Sequence, residues 1–227
     1  MSNYIYGKNS FFEALKSGRI LMAYVQDDRL IKDKGIPYKV VDRKKLDGLC
    51  RGGNHQGYVA EVKDFKLSAV DEMVKERNGL IVMLDGLEDV HNLGAIIRTA
   101  NLVGAHGVII PKDRAVGLTA TVAKASAGAI NYTPVVKVTN LVKTMEELKK
   151  RGLWFVCADM DGTTLTQLNL TGPIGLVIGA EGSGVSRLVR ESCDMVASIP
   201  QRGEIDSLNA SVAAGVLCYE ILRQRMA

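Results

Sequence analysis

Two segments near the end of the chain carry residue types that suit a nucleotide-type cofactor. The apolar run 174–179 breaks into a glycine-rich turn at 180–184, where the backbone can approach a ligand closely. The second segment leads from Ile199 through Pro200 into a polar loop, where Ser207 is placed to cap a helix beginning near Leu208. Strand ends with free backbone N–H groups are where α/β sheets usually bind ligands. The two segments therefore predict a cofactor site.

Two common phosphate-binding motifs do not fit the glycine-rich turn. It reads G-x-x-G-x-G over 179–184, which is the wrong order for the dinucleotide fingerprint, and no G-K-[ST] follows it to form a phosphate loop. An ordinary Rossmann dehydrogenase and a P-loop enzyme are therefore disfavoured.

A third motif, DMDGTT at 159–164, follows an apolar strand and resembles the aspartyl-nucleophile motif of haloacid-dehalogenase phosphatases. That motif normally opens its domain, whereas here most of the chain precedes it and no paired acidic motif for a metal follows. An Asp-Gly turn between a strand and a loop is the favoured interpretation, and the phosphatase stays a remote alternative.

From residue 80 onwards, apolar strands alternate with helices, which predicts a doubly wound α/β domain with a parallel sheet. Its loop at 86–92 leads from the first strand into the first helix. We expect strands at 80–85, 107–111, 133–138, 154–158, 176–178 and 195–199, and helices at 93–101, 119–128, 141–150 and 208–225. The last helix should pack back on the sheet.

The first 63 residues predict a separate small α/β module. Ser10 is expected to cap a helix at 11–16 that ends at Gly18, and a glycine-rich polar turn at 51–57 precedes the last strand. The other expected elements are strands at 3–6, 20–25, 38–41 and 58–62 and a helical turn at 42–50. We predict domains at 1–63 and 79–227, joined by a linker and helix at 64–78.

The net charge of +4 is concentrated in that small module. Residues 1–63 carry 12 Lys and Arg against 7 Asp and Glu, whereas residues 64–227 carry 17 against 18. A basic module joined to a neutral one suggests a part that docks on a polyanion and a part that does chemistry. A solvated basic surface with no partner explains the charge equally well.

The remaining composition favours a cytoplasmic protein without a metal or a disulfide framework. No run of about twenty uncharged apolar residues could span a membrane, and the first residues do not form a secretory signal. The 4 cysteines are far apart and the 3 histidines form no ligand cluster, so neither a zinc site nor disulfides are expected.

Three polar blocks decide between these possibilities: NLGAIIR at 92–98, GAEG at 179–182 and SLNASVA at 207–213. In this order and at these separations they resemble the signature motifs of the SpoU (TrmH) family of RNA 2′-O-ribose methyltransferases. The N-terminal module, through GKN at 7–9 and GNHQG at 53–57, is similar to the ribosomal-protein-like RNA-binding domain of the family's ribosomal-RNA guanosine branch. The resemblance covers residues 79–226 and part of the first domain.

One departure concerns the module between Val25 and Gly35, which is roughly 15 residues shorter than that domain usually is, judged from typical element sizes. A helix and part of a strand are missing there, which weakens the expectation that this domain docks RNA.

The resemblance implies a SPOUT fold with a deep C-terminal trefoil knot that binds S-adenosylmethionine. The matching cofactor positions are Gly179, Ile199 and Leu208, mainly through backbone groups. Carried over by motif, the catalytic positions are Arg98, Asn92, Glu181, Ser207 and Asn209. We expect Arg98 to position phosphate and stabilise the forming alkoxide, because a guanidinium is a poor base. Glu181 is expected to fix Arg98 or Asn92.

The resemblance further implies that Lys8, Asn9, Asn54 and His55 contact RNA, and that the enzyme is a homodimer through the knot. Ribosomal RNA, with guanosine as the methylated nucleoside, is the favoured substrate and transfer RNA the main alternative. Neither a metal nor a membrane is implied. A catalytically inactive RNA-binding assembly factor is the competing hypothesis from another class, although such a scaffold would not need Arg98 with the other polar side chains.

Overall fold

The computed structural model describes residues 3–63, 69–73, 79–113, 115–204 and 207–226 of the 227-residue chain. These residues form one four-stranded and one six-stranded sheet, each in a separate part of the chain. The predicted linker helix at 67–77 lies mostly outside the described residues, which include its part Val70–Met73.

The small sheet has the strand order β1-β4-β2-β3 and carries two helices. Its elements are β1 (Asn3–Tyr6), α1 (Lys8–Lys16), β2 (Ile20–Val25), β3 (Tyr38–Val40), α2 (Arg43–Leu49) and β4 (Tyr58–Val62). Strand β4 runs antiparallel to both β1 and β2, while β3 runs parallel to β2. The prediction of a small α/β module is confirmed.

The prediction that Ser10 caps the first helix is wrong. Helix α1 begins at Lys8 because Gly7, with φ 93°, turns the chain directly into it. Ser10 is therefore inside the helix and buried, and its hydroxyl donates to the carbonyl of Ala123 at 3.3 Å.

In the shortened stretch of the module, a loop connects β2 to its parallel neighbour β3. Parallel neighbours need a crossover of about a dozen residues, which is usually a helix, but here residues 26–37 make the crossover without one. The carbonyl of Asp28 accepts from the N–H groups of Ile31 and Lys32, and the Ile31 side chain is fully buried in the core. One apolar residue thus fills the space beneath the crossover.

The large sheet is parallel throughout, with the order β10-β8-β9-β5-β6-β7. Its strands are β5 (Leu80–Asp85), β6 (Gly107–Pro111), β7 (Val135–Val138), β8 (Trp154–Thr164), β9 (Ile174–Gly179) and β10 (Met195–Ser198). The helices are α3 (Val70–Met73), α4 (Val90–Leu102), α5 (Ala120–Ala125), α6 (Leu141–Lys149), α7 (Arg187–Glu191) and α8 (Ala210–Met226). The prediction of a parallel α/β sheet is confirmed.

The strand order reverses between β5 and β9. From β5 the chain proceeds to β6 and β7 on one side, and it later returns to place β9 on the other side. A crevice forms at such a point because the two connecting loops leave in opposite directions, and ligands of α/β proteins bind there. The last residues of these two strands, Asp85 and Gly179, are paired in the ladder.

The expected Asp-Gly turn after β8 is wrong, because Asp161 and Gly162 lie within that strand. The ladder between β8 and β10 pairs Cys157 with Val196 and then Thr163 with Ala197, so residues 158–162 bulge out. A Cβ at Gly162 would lie 2.6 Å from the Val196 carbonyl oxygen. Close contact with β10 therefore keeps this segment extended.

The end of helix α8 is tied to the loop before β9. The Gln224 side chain accepts from the N–H of Leu170 at 2.8 Å and donates to the carbonyl of Leu168 at 3.1 Å. Gln224 also donates to the carboxylate of Glu220, which accepts two further bonds from Arg223 at 2.7 and 2.8 Å. The bonds from Arg223 and Gln224 lower the pKa of Glu220 to about 2.

Glu220 should therefore contribute acid-sensitive stability. The lowered pKa stabilises the folded chain above the ordinary Glu pKa, and this contribution is lost as the pH falls toward 2. We expect Glu220→Gln to reduce the free energy of unfolding by about 1 kcal/mol at pH 7, since Arg223 is half exposed and screened. Urea unfolding of both proteins across pH values measures the difference, which should shrink toward zero between pH about 4 and 2. A difference that stays constant down to pH 2 would contradict this assignment.

Candidate functional site

Three polar side chains from distant parts of the sequence form a closed set of hydrogen bonds, which we call the polar triangle. The Asn92 amide donates to Glu181 Oε1 at 2.9 Å, and the Asn209 amide donates to Asn92 Oδ1 at 3.0 Å. The Asn209 amide also contacts Glu181 Oε1, which closes the triangle. Three of the five predicted catalytic residues are therefore in contact.

Asn92 is placed by the first turn of α4. Asp89 caps this helix, with its carboxylate accepting from the N–H groups of His91 at 3.1 Å and Asn92 at 3.2 Å. The helix thus begins at Val90, and the expectation that Asn92 lies on the preceding loop is wrong. Because Asn92 is only 6% exposed, its side-chain direction is fixed by packing as well as by hydrogen bonds.

Glu181 lies on a tight loop that requires glycine at its start. Ala180 and Gly184 exchange backbone hydrogen bonds of 3.1 and 2.9 Å, which folds the loop back over the end of β9. A Cβ at Gly179 would lie 2.1 Å from the carbonyl carbon of Gly184, so no larger residue fits without moving the loop. Asp85 fixes the far end of the loop by accepting from the N–H of Ser186 at 2.7 Å.

Asn209 uses both ends of its side chain. Its Oδ1 accepts from the N–H groups of Ser211 at 3.0 Å and Val212 at 3.3 Å, so Asn209 caps α8, while its amide nitrogen joins the polar triangle. The prediction that Ser207 caps this helix is wrong, since the helix begins at Ala210. Only an amide side chain supplies the acceptor and the two donor hydrogens that this position uses.

Ser207 lies apart from these contacts. It is exposed, and it makes no hydrogen bond to the part of the chain that the structure describes. Residues 205 and 206 are outside the described ranges. A role for Ser207 in the acceptor site stays a prediction.

The predicted cofactor positions offer backbone groups and apolar side chains. Ile199 follows β10 and is half-buried against the core, while Leu208 precedes α8 and is 40% exposed. Gly179 ends β9, where the backbone of the loop 180–184 packs directly against it. Apolar side chains can contact the flat face of adenine and backbone groups its polar edge, so these residue types are compatible with S-adenosylmethionine.

Arg98 is exposed on α4 and does not reach the polar triangle in its own chain. It lies six positions after Asn92, which corresponds to about 240° around the helix and roughly 9 Å along it. Within the described ranges its guanidinium has no hydrogen-bond or salt-bridge partner. Of its two expected partners, Glu181 therefore contacts Asn92 and not Arg98.

A cleft of about 610 Å³ opens beside the polar triangle, at the point where the strand order reverses. Five carboxylates from the ends of β5, β6 and β9 and their loops line it: Asp85, Glu88, Asp89, Asp113 and Glu181. Of these five carboxylates, the sequence analysis singled out only Glu181. The other four lie at the end of β5 or β6 or within four residues of it, and this position at a strand end is a signal that the sequence offered. The acidic lining repels phosphate and favours a ligand with hydrogen-bond donors.

The predicted RNA-binding residues gather around the loop 52–57. Lys8 and Asn9 are exposed at the start of α1, and the Lys8 N–H donates to the Gln56 side chain at 2.9 Å. His55 is buried and organises the loop, because its Nδ1 accepts from the N–H of Gly57 at 2.9 Å while its Nε2 contacts Asp47 at 3.2 Å. Asn54 is exposed at the loop tip.

The two aspartates of the phosphatase-like motif form ion pairs with an arginine. Arg190 of α7 binds Asp159 at 2.9 Å and Asp161 at 2.6 Å, so both carboxylates are ion-paired to the same guanidinium. In the described ranges, no group of three or more His, Cys, Asp or Glu side chains could hold a metal ion. The described helices likewise include none with the length and apolar character needed to cross a membrane.

Two family descriptions match the chain. The SpoU rRNA Methylase family matches residues 79–219, and the RNA 2′-O ribose methyltransferase substrate-binding domain matches residues 4–68. The first match contains Asn92, Arg98, Glu181 and Asn209, and the second contains the loop 52–57.

Curated relatives are similar over nearly their whole length. A putative TrmH family tRNA/rRNA methyltransferase of Bacillus subtilis is 47% identical over 241 residues, which covers 98% of this chain and 96% of the relative. The 23S rRNA (guanosine-2′-O-)-methyltransferase of Vibrio parahaemolyticus is 41% identical over 245 residues, which covers 100% and 99%. Both alignments are longer than this chain, so the relatives contain residues that it lacks.

Solved structures share the fold. The SpoU methyltransferase AviRb from Streptomyces viridochromogenes, in complex with the cofactor AdoMet, aligns with a TM-score of 0.84 at 26% identity and covers 99% of this chain and 90% of that one. An AdoMet-bound rRNA methyltransferase from Sinorhizobium meliloti aligns with a TM-score of 0.85 at 24% identity and covers 98% and 87%. The six-stranded sheet is therefore a SPOUT-type fold.

The close approach at Gly179 makes a direct prediction. We expect Gly179→Ala to weaken S-adenosylmethionine binding at least tenfold, because the added methyl group would displace the loop that carries Glu181. Isothermal titration calorimetry measures the affinity. Gly172→Ala is the control, since a Cβ there meets no atom within 4 Å. An unchanged affinity for Gly179→Ala would show that the loop position does not matter for the cofactor.

Proposed function

The chain belongs to the SpoU family of S-adenosylmethionine-dependent RNA 2′-O-ribose methyltransferases, and we propose that it methylates a guanosine of 23S ribosomal RNA. The family match covers most of the chain, and several relatives that align over their whole length are named as 23S rRNA guanosine enzymes. The observation that carries the proposal is the polar triangle beside the acidic cleft.

The polar triangle is suited to orient a ribose hydroxyl for attack. Both amide donors, from Asn92 and Asn209, bind Oε1 of Glu181, and the other carboxylate oxygen has no partner in the described part of the chain. That oxygen is the one we assign to accept the hydrogen bond of the 2′-hydroxyl and then its proton. Gly179, Ile199 and Leu208 would hold S-adenosylmethionine, which would supply the electrophilic methyl group and leave as S-adenosylhomocysteine. Fixed amides keep the carboxylate oriented without reorganisation during the reaction.

The acidic cleft supports guanosine as the acceptor. The carboxylates of Glu88 and Asp113 line the cleft and have no hydrogen-bond partner within the described ranges. The Watson–Crick edge of guanine offers two adjacent donor groups, N1–H and the N2 amino group, which a carboxylate can accept together. A nucleotide turned out of its stack would thus enter by its base and ribose, while its phosphate stays outside the acidic lining.

The exposed position of Arg98 supports a homodimer with shared sites. Its guanidinium makes no bond to the polar triangle of its own chain within the described ranges, so we assign it to the site of a second copy. Helix α8, which packs on α4, also leaves the apolar residues Val212, Val216 and Tyr219 39% to 60% exposed. A helix with apolar residues on all sides is usually buried on all sides, which a second chain would achieve. The knotted path of the C-terminal segment stays a prediction.

Transfer RNA remains the second candidate substrate. One relative is described as a tRNA/rRNA methyltransferase without a choice between the two. The basic N-terminal module, whose match is to a substrate-binding domain, is what favours ribosomal RNA here. We place the enzyme with its substrate in the cytoplasm. An inactive assembly factor is disfavoured, because a scaffold needs neither the polar triangle nor the cleft.

Transfer of a labelled methyl group tests the proposed reaction. With S-adenosylmethionine and 23S ribosomal RNA we expect labelled RNA, and nuclease digestion should release 2′-O-methylguanosine. Asn209→Ala should lower the rate about a hundredfold or more, because it removes both the cap of α8 and one bond that orients Glu181. Label in transfer RNA alone would select the second candidate. No label in either RNA, with no cofactor binding, would overturn the enzyme assignment.

Mixing two inactive variants tests the shared site. If Arg98 acts in the partner's site, a mixed dimer of Arg98→Ala and Asn209→Ala chains contains one intact site. Random pairing should then restore about a quarter of the wild-type rate, measured in the same methyl-transfer assay. Each variant alone is the control. No recovery after verified subunit exchange would mean that Arg98 does not act across the dimer.

A further inference from the structure

The two domains meet at a built interface between α1 and the segment that follows α5. Besides the bond from Ser10 to Ala123, the Tyr132 hydroxyl donates to the Glu13 carboxylate at 2.7 Å. A Cβ at Gly128 would lie 2.5 Å from that of Glu13, so the backbone of the large domain approaches α1 directly. Buried residues of both domains, such as Phe11 and Val122, belong to one continuous core. The small domain therefore has a fixed orientation on the large one.

Lys124, at the end of α5, joins the catalytic domain to the RNA-binding module at the loop 52–57, which we call the docking loop. Its ammonium donates to the carbonyl of Asn54 at 3.0 Å and lies 4.6 Å from the centroid of the Tyr6 ring. Gly53 packs against the same ring, since a Cβ there would lie 2.6 Å from two ring carbons. The Lys124 cation thus holds the loop both directly and through Tyr6.

The rest of the docking loop is held from within the small domain. His55 bonds to Gly57 and Asp47, and the Gln56 side chain accepts from the N–H of Lys8 at the start of α1. These bonds fix the shape of the loop but not its direction toward the catalytic site. In the described contacts of the docking loop, the side chain that reaches it from the large domain is that of Lys124.

The same short helix contacts the helix of the polar triangle. A Cβ at Gly94 of α4 would lie 2.3 Å from the Cβ of Ala125 and 2.9 Å from the N atom of Ser126, so α4 and the end of α5 touch with only the Ala125 methyl group between their backbones. Gly94 is two positions after Asn92, and Ala125 directly follows Lys124. Because close-packed helices have little room to move relative to each other, the position of α5 determines that of α4. A continuous series of contacts thus runs from Asn54 to Asn92.

We propose that Lys124 is a positioning residue, which fixes the docking loop relative to the catalytic helix and so sets which nucleotide of a docked RNA reaches the cleft. This inference rests on the proposed function, because it assumes that the docking loop binds the RNA whose ribose is methylated. A fixed loop selects RNA in which the docked element and the target nucleotide are separated by one distance. Folded RNA meets that condition, since its recognition depends on shape.

Kinetics and binding of the full-length Lys124→Met variant separate positioning from RNA contact. Methionine keeps the apolar stem but removes the cation and its donors. We expect kcat with saturating 23S ribosomal RNA to fall about tenfold, because a misdirected RNA reacts less often. The Kd for the same RNA, measured by filter binding, should change less than about twofold, since the loop keeps its own bonds. Lys124→Arg, which retains a cation and donors, should recover most of kcat.

Tyr132→Phe is the matched control at the far end of the interface. It removes the bond to Glu13 without touching the docking loop, so kcat should stay at the wild-type value. An equal loss of kcat in both variants would show that only general docking matters and would overturn the assignment. A weaker Kd with unchanged kcat in Lys124→Met would make Lys124 an RNA contact and would also overturn it.

Hydrogen exchange distinguishes failure of this inference from failure of the proposed function. In Lys124→Met the amides of the docking loop should exchange faster than in the wild type, while those of α4 should not change. This result does not depend on methylation. Unchanged exchange in the loop would overturn the role of Lys124, whereas a wild-type protein that methylates no RNA would overturn the proposed function.

Discussion

The arrangement of the site depends on Asn209, whose side chain serves two structures at once. Its oxygen caps the helix that closes the fold, and its amide nitrogen binds both Asn92 and Glu181. The helix end, the loop after β9 and the first turn of α4 are thereby held at one point. Asn92 is buried, whereas Glu181 and Asn209 are exposed, so loss of either of these two partners leaves a buried amide group of Asn92 with an unmet hydrogen bond. The geometry of the polar triangle and the stability of the last helix are therefore coupled.

Close backbone contacts make that geometry rigid. Gly179 allows the loop carrying Glu181 to fold onto β9, and Gly94 allows α4 to touch the end of α5. In both places a methyl group would occupy space that backbone atoms already fill. A site built on such contacts stays oriented before substrate binds, which is the condition for electrostatic stabilisation of a transition state. Through Lys124 the rigid region extends to the RNA-binding module.

The cleft explains how a positively charged module and an acidic site serve one substrate. Basic residues concentrate in the first 63 residues, where we propose that phosphates dock, while five carboxylates line the cleft. Phosphate is attracted to one place and repelled from the other, so that a base and its ribose are what the cleft admits. Separate surfaces for affinity and for chemistry also account for the need to fix their relative position.

The sequence by itself determined the alternating α/β order, the small N-terminal module and the three polar blocks, because these depend on local periodicity and on residue type. It misplaced Ser10, Asn92 and Ser207 relative to their helices, since a cap is decided by which neighbour takes the non-helical conformation. Gly7, Asp89 and Asn209 are the residues that do so. The extended course of Asp161 and Gly162 depends on pairing with β10, which local preference for a turn does not reveal. Only the tertiary structure brought Asn92, Glu181 and Asn209 together without a bond to Arg98 and joined Lys124 to Asn54, because contacts between distant segments are set by packing of the whole chain.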